Sequence, residues 1–309
     1  MNNPIETVWY LVEEFAKEPQ HVRIHEKAIL ETSKEIRKYL EQNIIGQWGP
    51  PRIPLSTGNE ERDILDNNIR TILYELIANS VNYQYWFGKS NIRPNHSGAI
   101  QMYELLEVAF RETYTESGGN YKALINDFGA KIIEYRFPAI EDRLRHLEEL
   151  KAYRWDKNFG AENFAFYLME NQFLPIETLI EKLIGRFPGY AKDLFLKRAF
   201  LFFHLLHHRM GWFSGEINKL PIAADYQIPK MLKYYGCISY SRELSQKIID
   251  SVLIPEGSLM ECEIRAASIL ACKLLAEGAG CTMGEIDNFL WQNRKLCSDP
   301  FHLTITTNY

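Results

Sequence analysis

YAKDLFLKRAFLFFHLLHHRM, residues 190–210, reads as a helix that is apolar almost all round, and such a helix belongs inside a protein. Lys197 and Arg198 interrupt it. It must be wrapped by other elements, and the flanking sequence supplies helices. Pro4 opens PIETVWYLVEEFAKE with Ile5, Val8, Trp9, Val12 and Phe15 on a 3.6-residue stripe. HEKAILETSKEIRKYLEQ repeats the pattern, and ERDILDNNIRTILYELIANS carries Ile64, Leu65, Ile69, Ile72, Leu73 and Leu76 on one face. Segments 99–110, 120–150, 163–172 and 175–186 follow, punctuated by Gly118-Gly119, Pro138, Leu174-Pro175 and Phe187-Pro188-Gly189. Beyond the central helix, 241–252, 259–277 and 282–297 are again helical, and PFHLTITTNY runs as an extended tail. No strand pattern competes. The expected fold is all-α, one multi-helical domain of about a dozen helices over residues 1–309. IIGQWGPPRIPLSTGNEE, 44–61, is the one long loop, and loops of that length are often functional.

A 46% share of hydrophobic residues is ample for a core, and the 17 Tyr, 17 Phe and six Trp offer flat surfaces for packing or for stacking a heterocycle. The net charge of −5 argues against a partner as basic-seeking as long nucleic acid but leaves a single nucleotide open. Five cysteines, none spaced C-x-x-C, indicate neither a zinc site nor a disulfide framework and read as reduced thiols. The acidic start MNNPIETVWYLVEEF is no signal peptide, and no apolar run approaches the roughly 18 residues of a membrane span. A cytoplasmic protein without a membrane partner is expected; nothing specifies an oligomeric state. His204 and His208 share a metal-ligand spacing, but the Glu of a zinc-protease helix and further ligands are missing, so no metal is expected.

KLPIAADYQIPKMLKYYGCISY, 219–240, sets one carboxylate, Asp225, between two prolines and among aromatic neighbours. Pro221 and Pro229 bias Leu220 and Ile228 to extended geometry, Pro229 suits a first helical turn, and Gly236 is a left-handed stop. Asp225 either caps a turn or is a partly desolvated carboxylate aimed at a ligand. NYQYWFG, 82–88, gathers Tyr83, Tyr85, Trp86 and Phe87 where a helix ends, as a core plug or a ligand wall. Lys197 and Arg198 need anionic partners on a buried helix, either a ligand phosphate or a protein carboxylate such as Glu263.

Six stretches in one order resemble the queuosine salvage proteins, the queuosine 5′-phosphate N-glycosylase family: NYQYWFG, FPAIEDRLRHLEEL, FPGYAKDLFLKRAF, ADYQIPKMLKYYGCISYS, ECEIRAASILACKLL and the terminal PFH. The likeness runs from about Asn82 to the end and is loose before it. It implies an all-helical fold similar to DNA glycosylases, a small-molecule nucleotide substrate, no metal or organic cofactor, and hydrolysis of queuosine 5′-monophosphate to queuine and ribose 5-phosphate, in service of queuine salvage for tRNA modification. The family's catalytic aspartate matches Asp225. Tyr83, Tyr85 and Trp86 are then expected to wall the base, with Asn82, Tyr226 and Glu263 as further substrate contacts and Lys197 and His302 as donors to the phosphate. Asn79 and Leu303 depart from the family's acid and arginine, which leaves open a related 7-deazaguanine nucleotide. A non-catalytic helical protein binding a nucleotide or partner on the same aromatic walls is the reading of a different class.

Overall fold

The computed structural model describes residues 3–42, 59–87, 97–114, 117–151 and 160–309. Asp193 divides the 190–210 segment in two: its carboxylate accepts from the main-chain N–H groups of Phe195 at 3.1 Å and Lys197 at 2.7 Å, and Leu196 turns left-handed at φ 49°. A new helix therefore starts at Lys197. The two cations that interrupted the apolar pattern are its first residues, not its middle.

Fourteen α-helices follow one another among the described residues: α1 (Pro4–Lys17), α2 (Glu26–Glu41), α3 (Glu60–Ser80), α4 (Gly98–Ala109), α5 (Tyr121–Glu134), α6 (Ile140–Lys151), α7 (Ala161–Asn171), α8 (Ile176–Arg186), the single turn α9 (Pro188–Ala191), α10 (Lys197–Met210), α11 (Gln227–Tyr234), α12 (Arg242–Ile249), α13 (Leu259–Ala279) and α14 (Met283–Asn293). The fold is all-α. Every residue of α10 from Lys197 to Leu206 is buried, against α3, α8, α9 and α14. The second buried axis is α13, held by α1, α2, α11 and α14. Most of the long loop, residues 43–58, lies outside the described residues. No single helix among the described residues is long and apolar enough to cross a membrane.

One short antiparallel ribbon departs from the helical expectation: β1 (Val22–Ile24) pairs with β2 (Ile238–Tyr240), Val22 opposite Tyr240. Three residues are too few to show a period of two. What fixes the ribbon is remote in sequence, since the Glu263 carboxylate on α13 accepts from the N–H groups of Gln20 at 3.0 Å, His21 at 2.6 Å and Val22 at 3.2 Å. The FPAIEDRLRHLEEL helix departs too. Its charged face reads as solvated, yet Arg143 and His146 are buried, and Arg143 and Arg198 are the largest fully buried side chains of the described residues.

Candidate active site

A helix C-terminus leaves carbonyl groups without intrahelical donors. At the end of α3 five successive carbonyls meet a buried cation. Arg198 donates to Ser80, Arg143 to Val81, Tyr83 and Gln84, and Lys197 Nζ to Asn82 at 3.0 Å. Gln84 sits left-handed at φ 36° and donates its N–H to the main-chain oxygen of Tyr309 at 3.0 Å. The backbone of 80–84 is thus fixed from α6, from α10 and from the 302–309 tail.

Asp225 faces it from the link before α11. Its Oδ1 accepts from the Gln227 N–H at 2.8 Å, which starts that helix two residues ahead of Pro229, and Gly236 ends the turn beyond it at φ 72°. The aspartate is half-buried. It caps a turn and lines a cavity, so the two readings of the sequence are both true of one side chain. The link is anchored at two more points. His204 Nε2 donates to the Pro221 carbonyl at 3.0 Å, and Arg265 Nε donates to the Ala224 carbonyl at 3.1 Å while its two terminal nitrogens pair with Asp193, each at 2.7 Å. The Asp193–Arg265 pair therefore joins the start of α10, where Lys197 sits, to the residue before Asp225.

Between these walls lies a cavity of about 270 Å³, near the lower end of the roughly 300–1,000 Å³ range of small-molecule sites. Lys197, Leu201, Leu205 and Arg209 line it at four-residue steps along α10, and Asp287, Asn288, Trp291 and Gln292 line it from one face of α14. Lys197 is 2% exposed, and burial lowers its ammonium pKa against the opposing pull of Asp225 and Asp287. Asp287 is pushed well above the ordinary carboxylate range by burial and then by Asp225, with Lys197 opposing. Arg209 pairs with buried Glu75, which also accepts from the Tyr103 hydroxyl.

Of the residues singled out from sequence, Asp225, Asn82, Tyr83, Tyr85, Lys197 and Tyr226 come together at the cavity; Trp86, Glu263 and His302 do not line it. Tyr83 is 1% exposed, with the guanidinium groups of Arg143 at 4.4 Å and Arg198 at 5.1 Å from its ring centre, so its ring is already engaged by protein. Trp86 packs on Phe301, which in turn stacks on Tyr226 at 4.6 Å. It supports a wall instead of forming one. Glu263 is spent on the amides of Gln20, His21 and Val22, and it is not the partner of Lys197 or Arg198. Burial and then Arg265 pull the His302 imidazole down to about 3, so at neutral pH it carries no charge to offer a phosphate. Asn79 bonds back to its own helix at Glu75, and Leu303 bridges to Leu253. Neither lines the cavity, so their departure from the family pattern removes no group from its lining. Among the described residues no group of three metal-ligating side chains gathers around His204 and His208.

Asp287, Trp291 and Arg294 escaped the sequence reading. Their signal was present as a 287, 291 spacing on one helical face, but an acid in an apolar helix reads as solvent-facing until its neighbours are known.

The family model described as queuosine salvage protein matches residues 64–309. Relatives named queuosine 5′-phosphate N-glycosylase/hydrolase are similar over shorter or longer spans. That of Sphaerobacter thermophilus is 26% identical over 281 residues, 82% of this chain and 86% of its own. That of Dictyostelium discoideum is 36% identical over 199 residues, 56% of this chain and 59% of its own. That of Mus musculus is 26% identical over 152 residues, 45% and 44% respectively.

Proposed function

Because the chain belongs to the queuosine salvage protein family, we propose that it hydrolyses the N-glycosidic bond of queuosine 5′-monophosphate, releasing queuine and ribose 5-phosphate. The observation that carries this reading is a half-buried carboxylate, Asp225, in the same cavity as Tyr85, Tyr226 and a buried lysine. Glycosidic bonds break through a sugar with oxocarbenium character, and a fixed carboxylate stabilises that positive charge best where water is scarce. Asp225 is placed to do so and to take a proton from the attacking water. Tyr85 and Tyr226 hold the flat deazaguanine, and Lys197 balances part of the negative charge of the two aspartates. Incubation with queuosine 5′-monophosphate followed by chromatography tests the reading: free queuine is expected, and tight binding without release would make the chain a nucleotide-binding protein.

Tyr226→Ala should weaken ligand binding by about 1–3 kcal/mol, the scale of base stacking on an aromatic ring. Trp86→Ala acts only through Phe301 and should lower the melting temperature while changing affinity by less than about threefold, or 0.6 kcal/mol. Calorimetric titration separates them, and equal losses would put Trp86 against the base.

The phosphate is assigned to Arg294. Among the described residues no carboxylate forms an ion pair with it, and it feels the one acid Asp225, whereas Lys197 stands between two acids and Arg209 is paired with Glu75. Its guanidinium lies 3.5 Å from the Trp291 ring centre and donates to the Trp291 carbonyl. A charge-assisted pair of about 1.5–3 kcal/mol predicts a preference for the 5′-monophosphate over the nucleoside of roughly 10- to 100-fold in kcat/KM. That preference should vanish in Arg294→Met and survive in Lys197→Met, which instead slows both substrates. The reverse pattern would return the phosphate to Lys197.

A further inference from the structure

Two carboxyl groups, Asp225 and Asp287, line one cavity with a single buried ammonium, Lys197, between their fields. Two neighbouring acids disfavour each other's ionisation, and besides Lys197, which feels both, the Arg294 guanidinium feels Asp225, so one acid holds its proton more tightly. The two environments decide which. Asp225 is half-buried and its Oδ1 accepts the Gln227 N–H at 2.8 Å. Asp287 is 5% exposed, and among the described residues no group donates a hydrogen bond to its carboxyl. The charged and titratable groups that face it are Asp225 from the link before α11, Lys197 from α10 and Cys272 from α13. Burial and then the neighbouring aspartate hold it well above the ordinary carboxylate range, with Lys197 opposing.

We propose that Asp287 is a further catalytic residue, the general acid that protonates the departing heterocycle; this rests on the substrate reading above. A 7-deazaguanine has carbon where guanine has N7, so the ring nitrogen most readily protonated during guanine departure is missing. N3, beside the breaking bond, is the remaining ring acceptor. A neutral carboxyl can donate to N3 and accept from the 2-amino group at once. As the C1′–N9 electron pair withdraws into the base, the proton passes from Asp287 to N3. The water oxygen bonds to C1′ and its proton goes to Asp225. Solvent then removes the proton from Asp225 and returns one to Asp287, so that one water is consumed per bond broken.

The test compares queuosine 5′-monophosphate with 4-nitrophenyl riboside 5-phosphate, whose leaving group departs as a phenolate and needs no proton. Asp287→Asn is expected to lower kcat about 100-fold on the nucleotide, the lower end of general acid catalysis, and less than about threefold on the nitrophenyl substrate. Equal loss on both substrates overturns the proposal, as does a raised KM with unchanged kcat, which would make Asp287 a base-orienting group. The pH profile is the second readout and needs no variant: wild-type kcat on the nucleotide should fall at alkaline pH as the acid loses its proton. Absence of that limb, or its persistence in Asp287→Asn, also overturns it. A wild type inert towards the nucleotide sinks the substrate reading together with this proposal, whereas an active wild type with unselective loss in the variant sinks the proposal alone.

Discussion

Asp225→Asn is expected to lower kcat by about 10³-fold, some 4 kcal/mol of transition-state stabilisation, while leaving KM and the melting temperature nearly unchanged. The substitution is informative because of what it keeps. Asn retains a carbonyl oxygen that can accept the Gln227 N–H, so the turn that opens α11 survives and the Ala224 and Pro221 anchors are untouched. Only the charge is lost. A charge that matters chiefly when the sugar becomes cationic should appear in kcat and not in ground-state affinity. Turnover within about threefold of wild type would remove Asp225 from the chemistry.

Arg265→Met is expected to be the most damaging substitution for stability, by about 3–5 kcal/mol, or a fall in melting temperature of roughly 10 °C. The guanidinium is buried, paired with both oxygens of Asp193, 3.3 Å from Glu261, and stacked 4.2 Å from the Tyr309 ring centre. Burial alone works against an ionised Asp193, and the charge and hydrogen bonds of Arg265 outweigh it, holding that carboxyl below its ordinary range. Met leaves two buried acids without their cation and the Ala224 carbonyl without its donor. Thermal melts of the single variants and of Arg265→Met with Asp193→Asn check the assignment: in the double variant the losses should be well short of additive, because the second change removes the acid that the first stranded. Additive losses would mean that the two side chains do not act as a pair.

The helices were legible because each buries one stripe, and a stripe at 3.6-residue spacing survives in the sequence whatever it packs against. Asp225 was legible for a different reason, its place between two prolines and within a recognisable motif. What was not legible depends on partners far away in the chain. Arg143 lies on a helix whose charges read as solvated, and only contact with carbonyls some sixty positions earlier shows why it is inside. Glu263 was expected as a substrate contact from the family resemblance, and its carboxylate instead accepts from three amides more than 240 positions earlier, those of Gln20, His21 and Val22. The break at Asp193 was hidden for the same reason, since the side chain that ends one helical turn and opens the next is itself held by Arg265.

The five carbonyls gripped by Arg143, Lys197 and Arg198 bear on how this site can be redesigned. At residues 80–84 three cations hold the main-chain oxygens along the path of the chain past the cavity. Exchanging Tyr85 for a smaller or differently shaped ring should therefore alter which heterocycle fits without moving the backbone that carries it. In a library Tyr85 should be varied together with Asn82, whose Oδ1 accepts its hydroxyl at 3.2 Å, while the three cations have to be left alone.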